Sequence, residues 1–186
     1  MPKQSVDSRK QGACMTRRAF LFGSSAAVVG TVWLPGLPGL EGKALAAEVT
    51  RYPRKLIGRL SSLQLNQPVK FNYPDEGQNS NSLLFRLGQP VGGGIGPDQD
   101  VVAFNALCTH MGGLLDGSGA FSAIDQALGP CPLHQTSFDL TRHGMVIGGH
   151  ATESLPQVLL ELEGEDIYAV GMLGLIYGRF DNLNTG

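Results

Sequence analysis

The chain has 186 residues, which is room for one domain and a short appended segment. Its formal net charge of −2 gives no indication of a nucleic-acid partner, because proteins that bind nucleic acids present strongly basic surfaces. With 26 glycines, 11 prolines and 16% charged residues, the composition favours an all-β domain with many turns over a helical one.

The first predicted element is an export signal over residues 1–47. Arg17 and Arg18 precede an apolar stretch over residues 19–34, which is short for a membrane-spanning helix and contains several glycines and serines. The sequence TRRAFL around this pair resembles a twin-arginine signal, and the small residues of KALAAE suit a cleavage site. We therefore expect a periplasmic protein exported by the twin-arginine route. The alternative is membrane association through an uncleaved N-terminus.

Residues 48–186 are predicted to form one antiparallel β domain. Apolar and polar residues alternate in VKFNY, and the apolar stretches SLLFRLG and DVVAFNALC are bounded by turn residues. TSFDL and GMVIGG predict two strands around the turn TRH, and QVLLELEGEDIYAVG predicts a hairpin. The glycine-rich stretch VGGGIGPDQD lacks the lysine and the helix of a phosphate-binding loop, so we interpret it as a connector.

Two loops of this domain each carry one cysteine and one histidine. Cys108 and His110 lie in ALCTHMGG, and Cys131 and His134 lie in GPCPLHQTSFDL. A disulfide between the two cysteines would suit an exported protein, and a zinc site would suit the set of two thiols and two imidazoles. In a Rieske [2Fe–2S] cluster two cysteines bind one iron and two histidines bind the other. Each loop must then reach both irons, so the mixed ligand order favours this cluster over zinc.

The two loops and the region after them resemble a known family. CTHMGG and CPLHQTSFD resemble the ligand loops of Rieske proteins. The run GGHATESLPQVLLELEGEDIYAVGMLGLIYGR resembles the C-terminal part of the arsenite oxidase small subunit. The resemblance implies one [2Fe–2S] cluster per chain, with Cys108 and Cys131 on the inner iron and His110 and His134 on the outer iron.

Four further positions can be compared with the usual Rieske pattern. Gly113 and Leu133 stand where many members have cysteines that form a disulfide, so the loops are expected to be held by the cluster and by packing. Thr136 matches a serine that often donates a hydrogen bond to sulfur, whereas Phe138 matches a tyrosine donor and cannot donate. Hydrogen bonds to sulfur stabilise the reduced cluster, so we expect a reduction potential in the middle or lower part of the range of about −150 to +300 mV.

The resemblance also implies a fold and a function. The fold is all-β, a Rieske-type antiparallel β sandwich or barrel, with a small cluster-binding subdomain at about residues 104–150. The function is electron transfer in a periplasmic arsenite oxidase, an oxidoreductase complex in which this chain has no substrate site of its own. Its partners would be a large molybdopterin and iron–sulfur catalytic subunit and a cytochrome c-type acceptor, with no nucleic acid.

Alternative functions are also possible, and two further histidines, His143 and His150, have expected roles of their own. The alternatives are the Rieske subunit of a related molybdenum enzyme for another oxyanion, such as iodate reductase, a stand-alone Rieske ferredoxin, and a zinc-stabilised binding module. His143 lies in a polar turn and is expected to be solvated, and His150 is a candidate for a partner interface near the second loop.

Overall fold

The computed structural model describes residues 52–183, so the predicted export signal over residues 1–47 lies outside the described residues. This part of the chain contains ten strands and two 3-10 turns, Leu60–Ser62 and Leu140–Arg142, and no α-helix. Neither turn has the length or the apolar character that a membrane-spanning helix requires. All pairs between strands are antiparallel, which confirms the predicted all-β fold.

The ten strands form two sheets. In chain order they are β1 (Lys55–Arg59), β2 (Val69–Asn72), β3 (Asn81–Arg86), β4 (Val101–Asn105), β5 (Phe121–Ser122), β6 (Ala127–Leu128), β7 (Ser137–Asp139), β8 (Met145–Gly148), β9 (Gln157–Glu163) and β10 (Asp166–Leu173). The larger sheet has the order β1-β10-β9-β4-β3-β2, and the smaller has the order β5-β6-β7-β8. The smaller sheet therefore comes from residues 121–148, with two of its strands before the second candidate ligand loop and two after it.

The hairpin of β9 and β10 shows how alternating side chains build the larger sheet. Ile167 pairs with Leu162, and Ala169 pairs with Leu160, as the period-two pattern predicts. Ile167 and Ala169 are fully buried, whereas the glutamates of β9 are exposed. The predicted hairpin is confirmed.

Strand β4 lies between the two apolar cores of the domain. All five of its residues are buried, and their side chains alternate between the two sides of the sheet. Val102 and Phe104 belong to the core that also contains both candidate ligand cysteines, while Val101 and Ala103 belong to the other core. Since β4 leads almost directly into Cys108, its burial on both faces fixes the start of the first ligand loop.

The second core curves the larger sheet into a nearly closed barrel. Ile57 of edge strand β1 and Phe71 of edge strand β2 pack against the same buried cluster, which includes Ile167. The two edge strands do not pair with each other, so the barrel stays open along one side. This agrees with the predicted sandwich or barrel.

A buried arginine attaches the C-terminal segment, residues 174–183, to the turn before β3. The guanidinium of Arg179 is almost fully buried and donates to the Asp75 carboxylate at 2.8 and 3.2 Å. It also donates to the Ser80 hydroxyl at 2.7 Å and to the carbonyl oxygen of Gln78 at 2.6 Å. A bidentate guanidinium–carboxylate pair is among the stronger side-chain interactions, so this segment has one defined position.

This pair makes the stability of the domain depend on pH. Hydrogen bonds from Arg179 lower the pKa of Asp75 to about 2, with smaller contributions from Ser80 and the Gly77 amide, while burial opposes them. In the unfolded chain the carboxyl has an ordinary pKa of about 3.9. The folded-state pKa is the lower one, so the stabilisation is fully present above about pH 4 and is lost as the pH falls through about 2.

We predict that Asp75→Asn lowers the free energy of unfolding at pH 7 by on the order of 2 kcal/mol, because it leaves the buried guanidinium without its counter-charge. The difference from the wild type should shrink as the pH is lowered from 4 towards 2. Urea unfolding followed by circular dichroism at several pH values measures it. Glu153→Gln, at an exposed carboxylate, is the control, and equal effects of both variants would contradict the prediction.

Candidate metal centre

The first candidate ligand loop begins directly after β4 and closes on itself. The backbone N–H of Cys108 donates to the carbonyl oxygen of Gly113 at 2.9 Å, and the N–H of Gly112 donates to the carbonyl oxygen of Cys108 at 2.8 Å. A bridge between Leu107 and Leu114 holds the base of the loop. This tight geometry buries the Cys108 side chain, which is 1% exposed, and leaves His110 near the surface.

The second candidate ligand loop runs from β6 to β7 and has a similar arrangement. The N–H of Cys131 donates to the carbonyl oxygen of Thr136 at 2.7 Å, and the N–H of Gln135 donates to the carbonyl oxygen of Cys131 at 2.9 Å. Cys131 is 1% exposed, whereas His134 is exposed at the tip. Each loop therefore points its thiol inward and its imidazole outward.

The two loops meet at Gly113. A Cβ atom at this position would lie 2.6 Å from Cys131 Sγ and 3.1 Å from Leu133 Cγ, so a larger residue would force the loops apart. This contact places Leu133 beside Gly113, the two positions that match the disulfide cysteines of the usual Rieske pattern, so packing joins the loops here. Leu133 is nevertheless 54% exposed, so it covers the junction of the loops without being buried in it.

The two histidines also come together. The ring centroids of His110 and His134 are 4.6 Å apart, with an angle of 76° between the ring planes. The Nδ1 atom of His110 is buried and has no hydrogen-bond partner among the described residues. A buried polar atom without a partner is costly, and coordination of a metal would satisfy its lone pair.

The environment of the Cys108 thiol disfavours its ionisation. Burial raises the pKa of the Cys108 thiol, and the neighbouring Cys131 adds to this effect. The backbone N–H of His110 and the hydroxyl of Thr136 hydrogen-bond to the sulfur and act in the opposite direction. Metal ions supply the positive charge that stabilises thiolates in such a site.

The residues present fit a Rieske cluster. Cys108 and Cys131 are free cysteines, buried side by side, and the two imidazoles lie together at the surface. Within residues 52–183, no three side chains of His, Cys, Asp or Glu converge on the position of a single ion. A Rieske cluster requires only two side chains for each iron.

The structure gives Thr136 a more specific position than the sequence did. Its buried hydroxyl accepts hydrogen bonds from the backbone N–H groups of His150 at 3.0 Å and Ala151 at 3.4 Å. The same hydroxyl hydrogen-bonds to the Cys108 sulfur and lowers the pKa of that thiol. Phe138 is fully buried in the same core as both cysteines and offers no donor, as expected.

His150 lies closer to the centre than the sequence indicated. Its ring centroid is 5.6 Å from that of His110 and 6.0 Å from that of His134. The sequence placed it near the second loop, since it follows the strand GMVIGG. Its contact with the first loop depends on tertiary folding, which also brings the Glu153 carbonyl oxygen within 2.8 Å of the Thr109 hydroxyl.

His143 has a structural contact that the sequence did not indicate. Although its residue is exposed, its Nδ1 atom is hydrogen-bonded to Gln157 Oε1 at 2.7 Å, and its ring lies against Gly92. The amide of Gln157 also donates to the carbonyl oxygen of Gly92 at 2.9 Å. His143 is therefore exposed and outside the centre, as expected, and it also helps attach the glycine-rich connector.

We predict that Gly113→Ala lowers the iron content of the purified protein, because the added methyl group would meet Cys131 Sγ at 2.6 Å and displace the second loop. The matched control is Gly117→Ala, since a Cβ atom at Gly117 would have no neighbour within 4 Å. Iron and sulfide analysis of both variants measures the effect. Full iron content in Gly113→Ala would contradict the prediction.

The chain is similar over most of its length to two proteins of known name. It is 56% identical over 170 residues to the iodate reductase subunit IdrB of Denitromonas iodatirespirans, an alignment that covers 91% of this chain and 88% of the relative. It is 52% identical over 186 residues to the iodate reductase subunit IdrB of Pseudomonas sp. (strain SCT), covering 99% of this chain and 92% of the relative.

One solved structure and one family model indicate the fold and the family of the chain. The soluble domain of the Rieske protein II (soxF) from Sulfolobus acidocaldarius has a similar fold, with a TM-score of 0.56 and 23% identity over 65% of this chain and 78% of that chain. The family model for the Rieske [2Fe-2S] domain matches residues 56–159, more than half of the chain and a range that includes both Cys–His loops. The chain therefore belongs to the Rieske family, whose cofactor is a [2Fe–2S] cluster.

Proposed function

We propose that this chain is the Rieske electron-transfer subunit of a molybdenum-containing iodate reductase. The observation that carries the proposal is similarity over 91% and 99% of the chain to two iodate reductase subunits. The sequence alone favoured arsenite oxidase and kept iodate reductase as the alternative. Both relatives are named iodate reductase subunits, so iodate is the first candidate substrate. Arsenite stays the second candidate because the C-terminal run resembles the arsenite oxidase small subunit.

The proposed ligands divide between the interior and the surface. Cys108 and Cys131 would hold one iron from the apolar core, and His110 and His134 would hold the other from the loop tips. Support comes from the 1% exposure of both cysteines, the 4.6 Å separation of the imidazole centroids and the unpartnered His110 Nδ1. When bound, the cluster supplies one-electron transfer.

The protein controls how this centre is reached and how strongly it holds an electron. The exposed ring of His134 and the half-buried ring of His110 give a docked partner a short path to the centre. Thr136 keeps a hydrogen bond on the Cys108 sulfur, which stabilises additional negative charge. Phe138 is fully buried beside the cysteines and adds no hydrogen-bond donor there.

The proposed partners follow from this function. A large molybdopterin and iron–sulfur subunit binds the oxyanion, and a cytochrome c-type protein supplies the electrons in the reductive direction. The complex is periplasmic and reaches that compartment by the twin-arginine route. Support for the route is the motif TRRAFL near the N-terminus.

The direction of electron flow distinguishes the two candidate substrates. We predict that iodate reoxidises the reduced chromophore of this chain in the complex purified with its catalytic subunit. Arsenite should leave the oxidised chromophore unchanged. Visible absorbance and electron paramagnetic resonance of the reduced state measure both reactions. If arsenite reduces the chromophore and iodate has no effect, the complex is an arsenite oxidase instead.

Ligand variants are the control for this assay. Cys108→Ser and His134→Gln should abolish the chromophore in a stably expressed chain, because each removes one of four proposed ligands. His143→Gln should retain it, since His143 is bonded to Gln157 and lies outside the centre. A full chromophore in either ligand variant would refute the assignment.

We predict that Thr136→Val lowers the reduction potential by about 60 mV, the equivalent of a hydrogen bond that favours the reduced state by about 1.4 kcal/mol. Thr136→Ser keeps the hydroxyl and should stay close to the wild type. Phe138→Tyr adds a buried donor beside the cysteines and should raise the potential. Protein-film voltammetry measures all three, and an unchanged potential in Thr136→Val would contradict the assigned hydrogen bond.

A further inference from the structure

The first ligand loop is in contact with a segment far from it in the chain. The ring of Tyr177, in the C-terminal segment after β10, lies directly on Gly112, which is two residues beyond His110. A Cβ atom at Gly112 would be 2.5 Å from Cδ1 and 2.6 Å from Cε1 of this ring. Gly112 also has a positive φ of 68°, which favours glycine. The loop and the ring can therefore approach this closely only because position 112 has no side chain.

The backbone of Tyr177 is held by side chains from the turn before β3. The Asn79 side-chain amide donates to the Tyr177 carbonyl oxygen at 3.0 Å. Two residues later, the buried guanidinium of Arg179 binds Asp75 and Ser80 of the same turn. The ring is thus carried by a segment whose position is set by several hydrogen bonds.

The same turn is also connected to the base of the ligand loop. The side-chain amide of Asn105, which is fully buried at the end of β4, donates to the carbonyl oxygen of Asn79 at 2.9 Å. The side-chain oxygen Oδ1 of Asn105 accepts from the backbone N–H of Leu107 at 3.1 Å, immediately before Cys108. Asn79 therefore links the base of the loop to the residue that contacts its tip.

Non-covalent contacts of this kind hold the ligand loops in place. Cys108 and Cys131 are free cysteines, and no disulfide joins the ligand loops within residues 52–183. The tip of the first loop is itself exposed, as the 53% exposure of Met111 shows. A planar ring fixed against the loop backbone restricts the orientations that His110 can take.

We propose that Tyr177 is a positioning residue, whose ring braces Gly112 and thereby sets the orientation of His110. This inference rests on the proposed role of His110 as an iron ligand. It gives the C-terminal segment a function beyond closing the fold, since this segment acts on the surface-exposed side of the centre. The Arg179–Asp75 pair and the Asn79 amide act through Tyr177.

The test uses the full-length, cluster-loaded protein and three variants. Tyr177→Ala removes the ring, and Tyr177→Phe keeps it without the hydroxyl. Phe180→Ala removes an aromatic side chain of the same segment that is fully exposed, at 104% of its reference area. The measurements are the rate of cluster loss to a ferrous chelator, the paramagnetic resonance spectrum of the reduced state and the reduction potential.

Tyr177→Ala should release its cluster on the order of tenfold faster than the wild type and show altered spectral values and a shifted potential. Tyr177→Phe and Phe180→Ala should match the wild type in all three measurements. A Tyr177→Ala protein with a wild-type spectrum and release rate would overturn the proposal. So would a Tyr177→Phe protein that behaves like Tyr177→Ala, because the hydroxyl and not the ring would then be responsible.

The variant Asn79→Gly is a second, independent test of the positioning role of Tyr177. Asn79 has a φ of 65°, which glycine tolerates, so this substitution removes the amide that holds Tyr177 without straining the backbone. It should change the spectrum and the release rate in the same direction as Tyr177→Ala, and it decides the question if Tyr177→Ala gives no soluble protein. A wild-type protein that lacks a Rieske spectrum would instead refute the proposed function itself.

Discussion

Cys108 and Cys131 are each 1% exposed in an apolar core, where ionised sulfur is stable only beside positive charge. Burial accordingly raises the pKa of the Cys108 thiol. The arrangement of the domain serves this constraint, because β4 leads into Cys108 between the two cores and Cys131 enters the same core shortly after β6. The histidines lie at the opposite, exposed side. The centre is therefore dry at its sulfur side and open at its nitrogen side, as electron transfer to a docked protein requires.

The two ligand loops are held by close backbone approach and hydrogen bonds rather than by a covalent link between them. Gly113 allows the first loop to reach Cys131, and the Thr109 hydroxyl attaches this loop to the Glu153 carbonyl oxygen. The second loop is held through Thr136, which accepts from the backbone of His150. The segment over residues 150–153 thus contacts both loops. The support of the loops is thus distributed over several weak interactions.

The hydrogen bonds around the sulfur atoms bear on the proposed delivery of electrons to a reductase. Thr136 offers one hydroxyl donor to Cys108, while the buried Phe138 offers none. Fewer hydrogen bonds to sulfur stabilise the reduced state less, and a centre that holds its electron less tightly is a better donor.

The sequence by itself was sufficient for those features that depend on local pattern. The alternation in QVLLELEGEDIYAVG predicted the β9–β10 hairpin, and the two Cys–His loops predicted the kind of cofactor. Tertiary structure alone decided that His150 approaches both candidate ligand histidines, that His143 is bonded to Gln157, and that Tyr177 covers Gly112. These contacts join residues that lie far apart in the chain, and they depend on strand order and on how the loops cross. Side-chain periodicity reports which face of a strand is buried, but it carries no information about which distant segment will cover that face.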